Sequence, residues 1–106
     1  QALIRVGDLV IDFSRRRVTL EGDEVHLTPR EYTLLRVLAR HAGRVVTHSQ
    51  IIAAVWGADA KVDAQFVRVL VAQIRQKLEA EPSMPKLVTT EPGLGYRLAG
   101  EEADPA

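Results

Sequence analysis

The sequence holds no cysteine, which excludes disulfides, thiolate metal ligands and thiol nucleophiles and fits a reducing compartment. Aromatic residues make up only 5% of it, so the core has to be built from aliphatic side chains. No apolar run approaches the ~20 residues needed to cross a bilayer. Neither sign of charge is in excess, because 14 basic and 14 acidic residues give a formal net charge of 0. What is present suits one compact domain: 106 residues, 46% of them hydrophobic. The chain opens on Gln1-Ala2 without a methionine or a recognisable signal peptide, the start expected of a piece cut or processed from a longer protein. A neutral balance supplies no general attraction to a polyanion, so any nucleic-acid role must come from where the charges sit. Glu21, Asp23 and Glu24 fall in an early turn, and Glu101, Glu102 and Asp104 in the tail, two stretches not expected to touch nucleic acid.

Over the first 27 residues, short apolar-polar alternations are broken by turn signals. Ile4 and Val6 precede Gly7-Asp8; then come 9–13, 17–20, the turn Glu21-Gly22-Asp23, and 24–27. This pattern predicts an antiparallel sheet of about four strands. Arg15, Arg16 and Arg17 fall at one of its turns, where solvation is the ordinary fate of such a run. Thr28-Pro29-Arg30-Glu31 is a capping box with proline at the first helical position. The helix it opens carries Tyr32, Leu34, Leu35, Leu38 and Ala42 inward and stops at Gly43. Residues 44–46 read as a short strand. Thr47-His48-Ser49-Gln50 is a second capping box, opening a helix that buries Ile51, Ile52 and Val55 and stops at Gly57. A third helix spans 63–79 with Asp63 as its N-cap, and Pro82 and Pro85 prevent its continuation. A closing hairpin follows, with strands at 87–90 and 96–99 around Pro92-Gly93-Leu94-Gly95, and residues 100–106 are small and acidic, as in a disordered tail.

Catalytic patterns are lacking. His26, His41 and His48 lie on different elements without metal-ligand spacing, and Ser14, Ser49 and Ser83 occupy no nucleophile elbow. Gly93-Leu94-Gly95 is followed by a strand, not by the helix that a phosphate-binding glycine loop requires. The expectation is a protein that is not an enzyme and that uses no cofactor or metal.

The third helix carries the informative pattern. With about 100° between successive residues, Val67, Val71, Ile74 and Leu78 form one stripe that must face the core. Opposite lie Gln65, Val69 and Gln76, with Ala72 and Gln73 beside them. An ordinary solvated face would show Lys and Glu. Glutamine can pair with adenine N6 and N7, and valine or alanine can meet a thymine methyl, so this face suits an A/T-rich site in the major groove. Arg68, Arg75 and Lys77 flank it, where they can reach phosphates and set register. The same uncharged strip also fits a protein-protein patch, the competing reading. Arg75 can instead pair with Glu79 four residues on, and Arg68 with Asp59 or Asp63.

The order of elements joins a set of local motifs: Leu27-Thr28-Pro29-Arg30-Glu31-Tyr32 with Leu34-Leu35, Gly43-Arg44-Val45-Val46-Thr47, Val55-Trp56-Gly57, Ile74-Arg75-Gln76-Lys77-Leu78, and Gly93-Leu94-Gly95-Tyr96-Arg97. Over residues 4–98 the chain resembles the C-terminal effector domain of OmpR/PhoB-type two-component response regulators. Phe66-Val67-Arg68-Val69, Arg75-Gln76-Lys77-Leu78-Glu79 and Thr90-Glu91 look like the branch of that family that regulates high-affinity potassium uptake. The resemblance implies an α+β winged helix-turn-helix in one domain over 1–99: a four-stranded antiparallel sheet at 3–27, three helices within 28–80 and a hairpin wing at 87–99. It implies that the third helix enters the major groove of double-stranded DNA and the wing lies along the minor groove. By position, Gln65, Phe66, Val69, Leu70 and Gln73 would approach bases, and Trp56, Arg75, Thr90 and Tyr96 the backbone. Trp56 and Tyr96 also suit a packing role, and Gly93 and Gly95 suit turn formation. Many members place an arginine before the wing glycine, whereas this sequence has Pro92, which puts minor-groove readout there in doubt. The loop at 57–62 would meet RNA polymerase, with Asp59 and Lys61 as candidates. The family further implies a receiver domain absent from this chain, tandem dimers on direct repeats, and a cytoplasmic, nucleoid-associated location.

Overall fold

The computed structural model describes residues 2–100. Strands β1 (Leu3–Val6), β2 (Leu9–Asp12), β3 (Arg17–Leu20) and β4 (Asp23–Val25) form an antiparallel meander in sequential order. Its register, Ile4 opposite Ile11 and Ile11 opposite Val18, places the buried alternates on one face. At the β3–β4 turn, Glu21 and Gly22 both take positive φ, 52° and 86°, as a two-residue primed turn requires. All three arginines of the run are exposed as expected, and the Arg16 guanidinium also lies over the Tyr32 ring, 4.2 Å from its centre.

Helices α1 (Pro29–Arg40), α2 (His48–Trp56) and α3 (Ala64–Leu78) follow. Both expected capping boxes form: Thr28 exchanges bonds with Glu31, and Thr47 with Gln50. Helix α1 ends at Arg40, earlier than expected, and buries Ala39 in place of Ala42. Gly43, at φ 84°, closes the turn beyond it and donates its N–H to the Leu98 carbonyl. Only Ile51 of α2 is fully buried; Ile52 and Val55 pack at the core margin because this nine-residue helix lies at the surface. In α3 the stripe of Val67, Val71, Ile74 and Leu78 is buried as expected. Burying each of these is worth about 1.5–3 kcal/mol, more than the few tenths that a β-branched residue loses in helix propensity, so packing decides the helix.

A second sheet is built from β5 (Val46–Thr47), β6 (Val88–Glu91) and β7 (Gly95–Leu98), in the order β5-β7-β6. Gly93 forms the hairpin turn at φ 77°. Gly95 has a different reason to be glycine: a Cβ there would collide with the Val46 carbonyl oxygen of β5. Leu9 and Ile11 of the first sheet, Leu34, Leu35 and Leu38 of α1, the α3 stripe, and Val88 and Leu98 of the second sheet join in one aliphatic core. The fold is an α+β winged helix with a four-stranded sheet, three helices and a C-terminal hairpin. Residues 101–106 of the expected tail lie outside the described residues. No described helix is long and apolar enough to cross a membrane.

Candidate nucleic-acid interface

Helix α3 starts where Asp63 Oδ1 accepts the Gln65 N–H at 2.9 Å. From there Gln65, Phe66, Arg68, Val69, Ala72, Gln73 and Gln76 are all exposed. Phe66 and Val69, three positions apart on this helix, are 59% and 49% accessible. Leu70 departs from the expectation: at 6% exposure it belongs with the core and is not presented to a base. It sits about 140° from Gln65 around the helix and only about 40° from Ile74 of the core stripe.

The two flanks of α3 differ. On one side lies the hairpin. Arg75 does not pair with Glu79 as an (i, i+4) reading allows. Its Nε donates to the Val88 carbonyl at 3.0 Å and its Nη2 to the Thr90 hydroxyl at 2.9 Å. Its guanidinium also lies 5.8 Å from the centre of the Tyr96 ring. Tyr96 is buried, with the His48 ring edge-on at 5.6 Å. Arg75, Thr90 and Tyr96 are therefore brought together, and Tyr96 is a packing surface rather than an exposed hydroxyl arm. Arg68, exposed on the same side, makes no ion pair with any described residue, neither Asp59 nor Asp63. Within the hairpin, Arg97 Nη2 pairs with Glu91 at 2.8 Å, so that acid is neutralised beside the turn.

On the other side lies the N-terminal turn of α1. The sequence pattern points Lys77 at a phosphate, but its ammonium is committed to Glu31 Oε1 at 2.7 Å and the His26 carbonyl at 3.0 Å. Burial alone would raise the Glu31 carboxyl. The Lys77 hydrogen bond and charge, together with the bonds from Thr28, more than offset this and hold it below its ordinary value. Beyond this pair a cleft of about 480 Å³ opens between α1 and α3, lined by Thr28, Pro29, Arg30, Trp56, Phe66, Val69, Leu70 and Gln73. Trp56 is half-buried, and the Arg30 guanidinium lies over it, 5.5 Å from the ring centre. Asp59 and Lys61 are exposed on the 57–63 loop, away from these contacts.

Sequence reasoning missed two residues that shape this surface. Glu79, at 9% exposure, accepts backbone N–H groups of Lys86, Leu87 and Val88 and so fixes where β6 begins beside α3. Arg30 was read only as part of a capping box; no local pattern could place it against Trp56, 26 positions away in sequence.

The chain has close relatives of the same architecture. The profile of the family described as "Transcriptional regulatory protein, C terminal" matches residues 22–98. The transcriptional regulatory protein KdpE of Mycobacterium tuberculosis (strain H37Rv) is 40% identical over 98 residues, covering 92% of this chain and 43% of that protein. The sensory transduction protein RegX3 of the same organism matches at the same identity and coverage. This chain thus spans less than half the length of these relatives. Among solved structures, the Thermotoga maritima response regulator DrrB, an OmpR/PhoB homologue, superposes with a TM-score of 0.87 at 33% identity, over 94% of this chain and 45% of DrrB. The Klebsiella pneumoniae RstA DNA-binding domain, solved in complex with the RstA box, gives 0.83 at 29% identity, over 93% of this chain and 98% of that one. The arrangement of a four-stranded sheet leading into three helices and a hairpin is thus shared with these structures, and the chain belongs to the family of C-terminal domains of transcriptional regulatory proteins, of the OmpR/PhoB type.

Proposed function

We propose that this chain binds double-stranded DNA in a sequence-specific manner, as the output domain of a two-component response regulator. Helix α3 enters the major groove and the β6–β7 hairpin lies along the minor groove. One observation carries the reading: an exposed strip of glutamines and small apolar side chains, Gln65, Val69, Ala72, Gln73 and Gln76, is bordered by the cation Arg68, which pairs with no described acid. Uncharged side chains that match adenine and thymine edges, bordered by a phosphate-seeking cation, are what direct readout requires. The RstA domain, similar in fold, is solved on its DNA box, which supports the same mode here. The formal net charge of 0 fits a single copy of modest affinity that gains hold from a second copy on a direct repeat.

Finer assignments follow from the same reading. Readers that are glutamine and aliphatic favour an A/T-rich site. Residues 1–99 act as the DNA-binding unit, and a receiver domain elsewhere in the full-length protein pairs two copies. Asp59 and Lys61, exposed on the loop before α3, face RNA polymerase in the cytoplasm. The regulated genes include a potassium-uptake operon, supported by the likeness to KdpE.

The test is fluorescence anisotropy with a duplex recovered by this chain from a random pool and a scramble of equal composition, across a salt series. Preferential binding of the recovered duplex is expected. Equal binding to both at every salt concentration would remove the DNA reading and leave the exposed Phe66 and Val69 as a protein-binding patch. Recovery of a G/C-rich motif would reject the A/T assignment alone. A motif that does not map upstream of potassium-transport genes would reject the potassium assignment alone.

A further inference from the structure

We infer that the cleft between α1 and α3 seats the backbone of one DNA strand, with Arg30 as its phosphate ligand. This rests on the DNA reading above and adds a contact that neither the base-reading strip nor the hairpin supplies.

A helix lying in the major groove is bordered by a phosphate backbone on each side. On the hairpin side, α3 offers Arg68 and Arg75. On the α1 side its own cation is Lys77, which Glu31 and the His26 carbonyl already occupy. The free positive charge on that side belongs to Arg30, which is exposed and makes no ion pair with any described residue.

The cleft suits this occupant in charge and in shape. Among the described residues, Arg30 is the only charged one in its lining, and none of the lining residues is a carboxylate. Stacking on the Trp56 ring at 5.5 Å restricts the guanidinium before any ligand arrives, which lowers the entropy lost on binding. A planar fork so held matches a phosphate oxygen pair better than a freely rotating ammonium. The exposed Phe66 and Val69 give the cleft an apolar wall against which a deoxyribose or a thymine methyl packs. Phe66, Val69 and Gln73 also belong to the exposed face of α3, so the cleft continues the reading surface without a break. A strand whose bases meet Gln73 therefore passes directly over Arg30.

The experiment compares Arg30→Gln, Arg30→Lys and, as a control of equal charge change, Arg40→Gln, at an exposed residue at the far end of α1. Each is titrated on the recovered duplex and its scramble from low to moderate salt. Arg30→Gln is expected to weaken both duplexes alike, by about three- to tenfold, and to lower the slope of log affinity against log salt by about 0.9. Arg30→Lys is expected to keep the slope and lose part of the affinity, and Arg40→Gln to change neither. Replacing phosphates one at a time by neutral methylphosphonates should reveal one position that costs the wild-type chain affinity and costs Arg30→Gln nothing. If the wild type discriminates between duplexes while Arg30→Gln behaves like Arg40→Gln in affinity and slope, the cleft does not hold the strand. If the wild type itself fails to discriminate, the DNA reading fails first and this inference with it.

Discussion

Arg75 donates to the hydroxyl of Thr90 at 2.9 Å, so a single guanidinium on α3 ties that helix to strand β6 of the hairpin. Its second bond, to the Val88 carbonyl, and the Tyr96 ring beneath it leave the side chain half-buried in that junction. A residue expected from sequence to meet a phosphate is therefore also a strut between helix and hairpin.

The two roles separate by substitution. Arg75→Ala removes both charge and strut, and should cost about 1–3 kcal/mol of stability and lower the salt slope by about one unit. Arg75→Lys keeps the charge but cannot span both acceptors, so its slope should stay near the wild-type value while its thermal midpoint falls. Urea denaturation and anisotropy on the same samples check this. A slope unchanged in Arg75→Ala would make the residue a strut alone.

A second prediction concerns pH. Glu31 is buried and its folded pKa is lowered below the unfolded value of 4.5, by Lys77 and Thr28 acting against burial. A depressed carboxylate stabilises the fold fully above its unfolded pKa, and that contribution is lost as pH falls through the lower folded value. Lys77→Met should leave the carboxylate buried without its cation and destabilise the domain by about 2 kcal/mol at pH 7. That is less than for a fully buried pair, because the Lys77 side chain is 36% exposed. The gap to wild type should narrow as pH falls, first as Glu31 protonates in the variant and then as pH drops through the lowered folded pKa of the wild type. Chemical denaturation at pH 7 and pH 3.5 reads this directly, and a gap of constant size would show that the pair is electrostatically inert.

The third prediction isolates Glu79. Its two oxygens collect four backbone contacts from Lys86, Leu87 and Val88, at 2.8 to 3.1 Å. Glu79→Gln keeps the shape but exchanges one acceptor oxygen for a donor that faces other donors. About 1–3 kcal/mol should be lost, with faster hydrogen exchange concentrated at residues 86–88. Unchanged exchange there would mean that the loop is held from elsewhere.

These cases show where sequence was sufficient. The capping boxes at Thr28 and Thr47 are local chemistry, so both helix starts were readable, as was the α3 core stripe, which follows from period alone. The exposure of the uncharged strip was legible for the same reason: a core-facing stripe dictates its opposite. What could not be read was the direction of long charged side chains. Lys77 and Arg75 lie two positions apart on one helix, yet one turns to Glu31 and the other to Thr90, partners 46 and 15 residues away. Glu79 looked like an (i, i+4) partner for Arg75 and instead serves backbone groups beyond two prolines. Leu70 shows the same limit from the apolar side, since helical period alone does not say how far the covered flank of α3 extends beyond its core stripe.

Gln73 carries the last prediction. It is exposed, makes no hydrogen bond with any described residue, and stands where the reading strip meets the Arg30 cleft. A free amide on an α3 that lies in the major groove finds its donor and acceptor matched by adenine N7 and N6. Gln73→Ala should then cost about 1–3 kcal/mol on the recovered duplex and little on its scramble, with the salt slope unchanged because no phosphate contact is lost. Repeating the enrichment with the variant should relax preference at one base pair and leave the others intact. Arg30→Gln, by contrast, should weaken every duplex and relax no position. If Gln73→Ala weakens all sequences equally, the amide serves the backbone, and base recognition passes to Gln65, Val69 and Phe66.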